Sequence, residues 1–292
     1  MAAGKVKKGS KKAAIKADKP YSKKEDNSAD DIQLGSPDAY PFIKKLAAND
    51  RPTRDETLNS LKRFLGTPKA FGELELLKLW KGLFFSMWFS DRPRTQQRLA
   101  DDMASLLLVV HETNYFTFLA SFWKIMSAEW LALDKHRIDK FYLLLRRYVG
   151  FAFQRLAKED WDETWIERHN EVMSKIPLNP ENPKIPDSIR YHVLEIYLEE
   201  LAKVVLKDKK EAENEEEEAE LVKELFADVP VSELLEAVET LSEETKNSVV
   251  QKRCVEDVLE NPLLIEWGVA EELEGAGEED EEDEEDEWAG FV

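Results

Sequence analysis

The sequence predicts an all-α protein: a HEAT-like helical-repeat α-solenoid of antiparallel helix pairs, flanked by disordered charged tails. Three observations carry that prediction. Apolar residues recur at helical spacing through most of the chain, and no convincing strand is found. Eleven Gly and twelve Pro in 292 residues are too few for the turns of a β-sandwich. A hydrophobic content of 42%, with 8 Trp, 14 Phe and 7 Tyr, supplies a substantial core. No clean repeat is present, so regular curvature is not expected, and a globular helical bundle is the alternative.

Taken in order, residues 1–36 are poor in apolar side chains and read as a disordered basic tail. Helical pattern starts at Pro37, with Ser36 as its cap. Thr53–Glu56 fits a capping box for a helix running to about Leu65 and stopping near Gly66. Glu73–Phe89 is apolar almost all round, with a narrow polar stripe at Glu75, Lys78, Gly82 and Ser86, so this helix should be buried between neighbours. Asp91-Arg92-Pro93 breaks it. Further helices are expected at about 94–111, 115–133 and 136–157, the last with Ile138, Phe141, Leu145, Tyr148 and Ala152 on its apolar face. Trp123 and Trp130 are seven residues apart on one face of the second. A shorter helix fits 160–175. Pro177, Pro180, Pro183 and Pro186 mark a loop. Asp187 can cap a helix to about Leu206. Residues 37–206 are thus read as a helical core domain, 207–220 as an acidic linker or exposed helix, 221–270 as short C-terminal helices, and 271–292 as a disordered acidic tail.

Charge is placed unevenly. Residues 1–24 hold nine lysines and one acid, 37–206 hold 25 basic and 24 acidic residues, and 271–292 hold 13 acids and no base. A nearly neutral body therefore has a basic end and an acidic end, and the formal net charge of −20 does not exclude nucleic acid as a partner. The cluster Lys5, Lys7, Lys8, Lys11 and Lys12 reads as a nuclear import signal or a mobile phosphate-binding arm. Central apolar runs fall far short of the roughly 18 residues that span a membrane, and no apolar run follows the first lysines as in a secretory signal, so no membrane partner is expected.

Catalytic and metal chemistry finds little footing. One cysteine, Cys254, excludes a disulfide framework and a cysteine-rich zinc site, and it reads as a half-buried thiol in a charged helix. His111, His136, His169 and His192 form no pair at the spacing of a helical zinc site, and no phosphate-cradling glycine loop is present. No cofactor or catalytic residue is assigned. Basic clusters are more informative. Lys62, Arg63 and Lys69 flank one helix end, and Arg92, Arg94 and Arg98 surround a turn and the start of the next helix. Lys135, Arg137, Lys140 and Arg147 lie along another helix. Arg92 and Arg94 are candidates to hold phosphates bidentately beside a helix N-terminus that itself favours anions. The Trp and Phe stripes are read as core rather than as base-stacking platforms.

Two stretches carry a family resemblance: Lys78–Pro93, KLWKGLFFSMWFSDRP, and Leu133–Tyr142, LDKHRIDKFY, the latter preceded by Phe122-Trp-Lys-Ile-Met and Glu129-Trp130. Together they closely resemble ribosomal RNA processing protein 1, a nucleolar family needed for maturation of the large ribosomal subunit. Ser188–Leu201 resembles its following helix, and the overall length resembles the compact fungal-type members. The resemblance implies a non-enzymatic assembly factor of nucleus and nucleolus. It implies as neighbours a Brix-domain factor, its small partner and a β-propeller factor in precursors of the 60S subunit. The leading reading is a helical scaffold there that binds such partners and ribosomal proteins and meets pre-rRNA either directly or through a recruited protein. The alternative function is an acidic nuclear chaperone or import adaptor for basic proteins.

Overall fold

The structure, a computed structural model, describes residues 45–46, 50–209, 212 and 214–270. The basic arm with Lys5, Lys7, Lys8, Lys11 and Lys12, the cap at Ser36 and the acidic end at 271–292 lie outside the described residues. The protein is all-α: the helices are α1 Arg51–Leu65, α2 Glu73–Trp88, α3 Pro93–Ala104, α4 Glu112–Glu129, α5 Ile138–Lys158, α6 Glu163–Lys175, α7 Asp187–Val205, α8 Glu215–Phe226, α9 Val231–Glu244, α10 Ser248–Cys254 and α11 Leu263–Glu266. Short 3-10 turns occupy Ser105–Leu108, Trp130–Ala132 and Leu206–Asp208, and a π turn occupies Val255–Leu259. No strand occurs among the described residues.

Helix ends follow local chemistry, with three departures from expectation. Asp50, not Thr53, caps α1: its Oδ2 accepts from the Thr53 N–H at 3.0 Å and from the Thr53 hydroxyl at 2.6 Å. Pro52 in the first turn has no N–H to lose, so the helix extends back past the expected box. At the far end Gly66 closes α1 as expected, donating to the Lys62 carbonyl at 3.0 Å. Helix α4 starts earlier than expected, because the His111 ring accepts from the Thr113 N–H at 3.3 Å. Asp187 is the first residue of α7 rather than its cap, and Pro186 holds the cap position. The Asp187 carboxylate instead accepts from Arg190 at 2.6 Å and from the Asn247 side chain at 2.9 Å, joining α7 to the turn before α10.

Packing alternates between two layers. One runs α2, α4, α6, α9, and the other runs α3, α5, α7, α10, with neighbours within a layer packed on one another and α9 also packed on α10 across the layers. Successive helices alternating between layers is the arrangement an α-solenoid uses to bury a continuous core. The layers meet at Trp80 of α2. Its ring lies 4.9 Å from Phe118 and Phe122 of α4 and 5.3 Å from Tyr148 of α5, and Phe122 stacks on Tyr148 at 3.5 Å. The indole N–H donates to the Phe118 carbonyl at 3.1 Å. Each such aromatic removes roughly 150–250 Å² from water, and truncating one costs about 3–5 kcal/mol.

Buried charge is tied down at each seam. Arg155 of α5 donates to the Leu107 and Val110 carbonyls at 3.2 and 3.1 Å and to Glu159 at 2.7 Å, between the rings of Tyr115 and Trp165. Between α5 and α7, the buried Glu200 accepts from Arg146 at 2.6 Å and from Lys203 at 2.7 Å. Gly150 makes room for it, since a Cβ there would lie 2.6 Å from a Glu200 oxygen. The proline loop wraps Arg190, which is buried and donates to the Asn179, Asn182 and Ile185 carbonyls at 2.6, 3.0 and 2.7 Å. Cys254 is fully rather than half buried, and desolvation, with Asp257 adding to it, pushes its thiol up to about 12.

His169 on α6 is buried, and neither ring nitrogen has a hydrogen-bond partner among the described residues. Burial lowers its pKa to about 4, so it is neutral in the folded state. The unfolded chain takes up this proton near pH 6.5 while the folded one does not until about pH 4. Stability therefore falls between those limits, by about 3 kcal/mol from this residue. In urea titrations from pH 7 to pH 4, His169→Phe should lose less stability than the wild type by about that amount.

Candidate nucleic-acid interface

Lys78–Pro93 and Leu133–Tyr142 come together at one end of α2. The α5 residue Lys140 is buried, and its ammonium donates to the Trp88 carbonyl at 2.8 Å and the Ser90 carbonyl at 2.7 Å. These are carbonyls left over at the end of a helix, and a cation is a good partner for them. Desolvation lowers the Lys140 pKa, and the charge of Asp91 opposes that shift. Gln96 of α3 also donates to the Ser90 carbonyl, at 2.8 Å. Above this joint the Arg137 guanidinium lies 4.6 Å from the Trp88 ring centroid and pairs with Asp134.

The chain then leaves α2 through Phe89, Ser90 and Asp91 and starts α3 at Arg92-Pro93. Arg92 is the cap residue and offers no side-chain oxygen to the first turn, which holds no acid. Arg92, Arg94 and Arg98 are all exposed. None of them has an ion-pair or hydrogen-bond partner among the described residues. Arg94 and Arg98 are one helical turn apart, so they share a face. The next position on that face is Asp102, whose carboxyl sits in the field of Lys62 from α1. Burial raises the Asp102 pKa, and Lys62 opposes it. The unpaired arginines and the end of α1 thus border the same outer face of α3.

The remaining sequence candidates separate by surroundings. Lys135 is exposed and unpaired among the described residues. Arg63 is exposed and donates to the Ser60 hydroxyl at 3.2 Å, and the exposed Lys69 lies 5.4 Å from the Phe71 ring centroid. Arg147 forms an ion pair with Asp101 at 2.8 Å, though its Nε lacks hydrogen-bond geometry. Lys140 is the clear correction: its charge points inward, and it is unavailable to a ligand. Among the described residues no three His, Cys, Asp or Glu side chains gather as metal ligands, and no helix is long and apolar enough to cross a membrane.

One feature was hidden by the expected polar stripe on α2. Gly82 and Ser86 are buried, while Phe85 is half-buried and Phe89 is 52% exposed. The line Lys81, Phe85, Phe89, at four-residue steps, was the signal available for this face.

The layered helical frame thus bonds its buried cations and leaves a set of exposed arginines without bonds among the described residues. The chain belongs to the Nop52 nucleolar protein family, whose signature matches residues 37–290. It is similar to ribosomal RNA processing protein 1 homolog A of Mus musculus, 38% identical over 174 residues, or 58% of this chain and 35% of that protein. It is also similar to homolog A of Homo sapiens, 35% identical over 179 residues, covering 59% of this chain and 38% of the other. The human homolog B is 34% identical over 174 residues, 58% of this chain and 23% of its own length. The chain thus spans about a quarter to two fifths of these relatives.

Substitution should separate inward from outward cations. Lys140→Met leaves the Trp88 carbonyl without its side-chain donor and the Ser90 carbonyl with Gln96 alone, and it should cost about 1–3 kcal/mol in urea denaturation. Arg92→Glu with Arg94→Glu should stay within about 0.5 kcal/mol of wild type.

Proposed function

We propose that this chain acts in ribosomal RNA processing as a non-enzymatic helical scaffold of nucleolar precursors to the large ribosomal subunit. The family match over residues 37–290, with relatives named for ribosomal RNA processing, is the observation that carries this reading. The frame supports it by presenting Arg92, Arg94 and Arg98 exposed and without an ion-pair partner among the described residues. In this role the helical faces hold assembly proteins: a Brix-domain factor, its small partner, a β-propeller factor and ribosomal proteins. The exposed cations and the lysine arm at residues 5–24 meet pre-rRNA, with sequence-independent, salt-sensitive affinity. The acidic end shields basic ribosomal proteins awaiting assembly.

Affinity purification of the tagged chain with gradient sedimentation of nuclear extract tests the reading. Co-migration with large-subunit precursors is expected, and a pool found only in the free fractions overturns it. Deleting residues 1–24 should weaken RNA binding and flatten the dependence of log K on log salt. An unchanged slope removes the arm from the RNA contact.

A further inference from the structure

The exposed end of α2 joins two groups of different chemistry. Phe89 is a large apolar side chain left 52% exposed, and it is stacked at 6.2 Å and 25° on Phe85. Phe85 in turn carries the Lys81 ammonium 5.3 Å from its ring centroid, and Lys81 is pinned by Glu129 of α4. The Phe89 ring is therefore flanked by Phe85 and about half exposed. Three residues along the chain the unpaired arginines begin, first Arg92, then Arg94 and Arg98 one turn apart. Asp91, the acid in this stretch, lies in the field of the Lys140 charge and opposes the effect of desolvation on that lysine. In a chain of net charge −20, a half-exposed aromatic ring followed along the chain by three exposed guanidinium groups with no ion-pair partner among the described residues is a local concentration of positive charge.

We infer that Phe89 is a stacking platform for an unpaired RNA base, with the flanking phosphates of the same strand held by Arg92, Arg94 and Arg98. Aromatic faces take unpaired bases because every base has a π-face, and guanidinium forks match phosphate oxygens. A duplex keeps its bases stacked inside and offers this surface only phosphates. The ligand class is therefore single-stranded RNA, and the inference rests on the reading that the chain meets pre-rRNA.

Fluorescence anisotropy of the full chain, with a labelled single-stranded uridine oligoribonucleotide and a duplex of equal length, tests it. Phe89→Leu keeps an apolar side chain but removes the ring. It should weaken single-strand binding about tenfold and leave duplex binding unchanged. Phe89→Tyr should bind as wild type. Arg94→Gln should weaken both ligands and reduce the salt slope by about 0.7 on the single strand. Equal single-strand affinity for Phe89→Leu and wild type overturns the inference, as does failure of wild type to bind the oligonucleotide. Either failure leaves co-sedimentation with precursors intact if the scaffold reading is right. Loss of co-sedimentation by Phe89→Leu, with oligonucleotide affinity unchanged, assigns the ring to a protein partner and also overturns it. Thermal melts of each variant at the wild-type midpoint confirm that folding is unaffected.

Discussion

The burial of Trp80 is the constraint on which the rest of the arrangement depends. Its indole touches α4 and α5 at once, and its N–H is satisfied by a backbone carbonyl inside α4. A side chain of this size, fully enclosed and bonded at its polar tip, fixes both the height and the rotation of α2 between the layers. Helix α2 cannot turn about its axis without opening a cavity at Trp80. The direction in which it ends is therefore fixed, and so is the placement of Phe89 and of the arginines that follow. The chemistry on the outside inherits its position from a packing contact on the inside.

Cations in this protein do two different jobs, and desolvation decides which. Lys140, Arg155 and Arg190 have been taken out of water, and each spends its donors on backbone carbonyls that helix ends and loops would otherwise leave unpaired. Removing one of these would strand buried acceptors, so their charge is structural. Arg92, Arg94 and Arg98 keep their hydration, and no carboxylate claims them among the described residues. Their charge is free for a polyanion at little cost to the fold. Family resemblance and local chemistry meet here, because the two stretches that carry the resemblance are those joined by Lys140.

Much of the fold could be read from the sequence because it depends on short-range pattern. The all-round apolar character of α2, the stop at Gly66 and the apolar face of α5 through Phe141, Leu145 and Tyr148 are local properties, and the structure has them. Where two local signals compete, the outcome was not legible: Asp50 and Thr53 can each cap a helix, and only the actual start decides. Small residues misled in another way. Gly82 and Ser86 resemble a solvent stripe but lie buried, with the Ser86 hydroxyl bonded back to the Gly82 carbonyl at 3.1 Å, so the wet side of α2 falls at Phe85 and Phe89. Long-range bonds had no sequence signature at all. Nothing near Lys140 in the chain announces the Trp88 and Ser90 carbonyls it serves, 52 and 50 residues away, which is why Lys140 read as a surface cation. Lys81, four residues from Phe85 and eight from Phe89, was the one clue to the exposed ring.

The closed position of Cys254 has a practical outcome. The chain's single sulfhydryl is walled in and held protonated near neutral pH. Toward aqueous maleimides the native protein thus behaves as though it had no cysteine. One introduced at the tip of any helix would carry a fluorophore or spin probe by itself, and distances across the frame could be measured without first mutating the native residue.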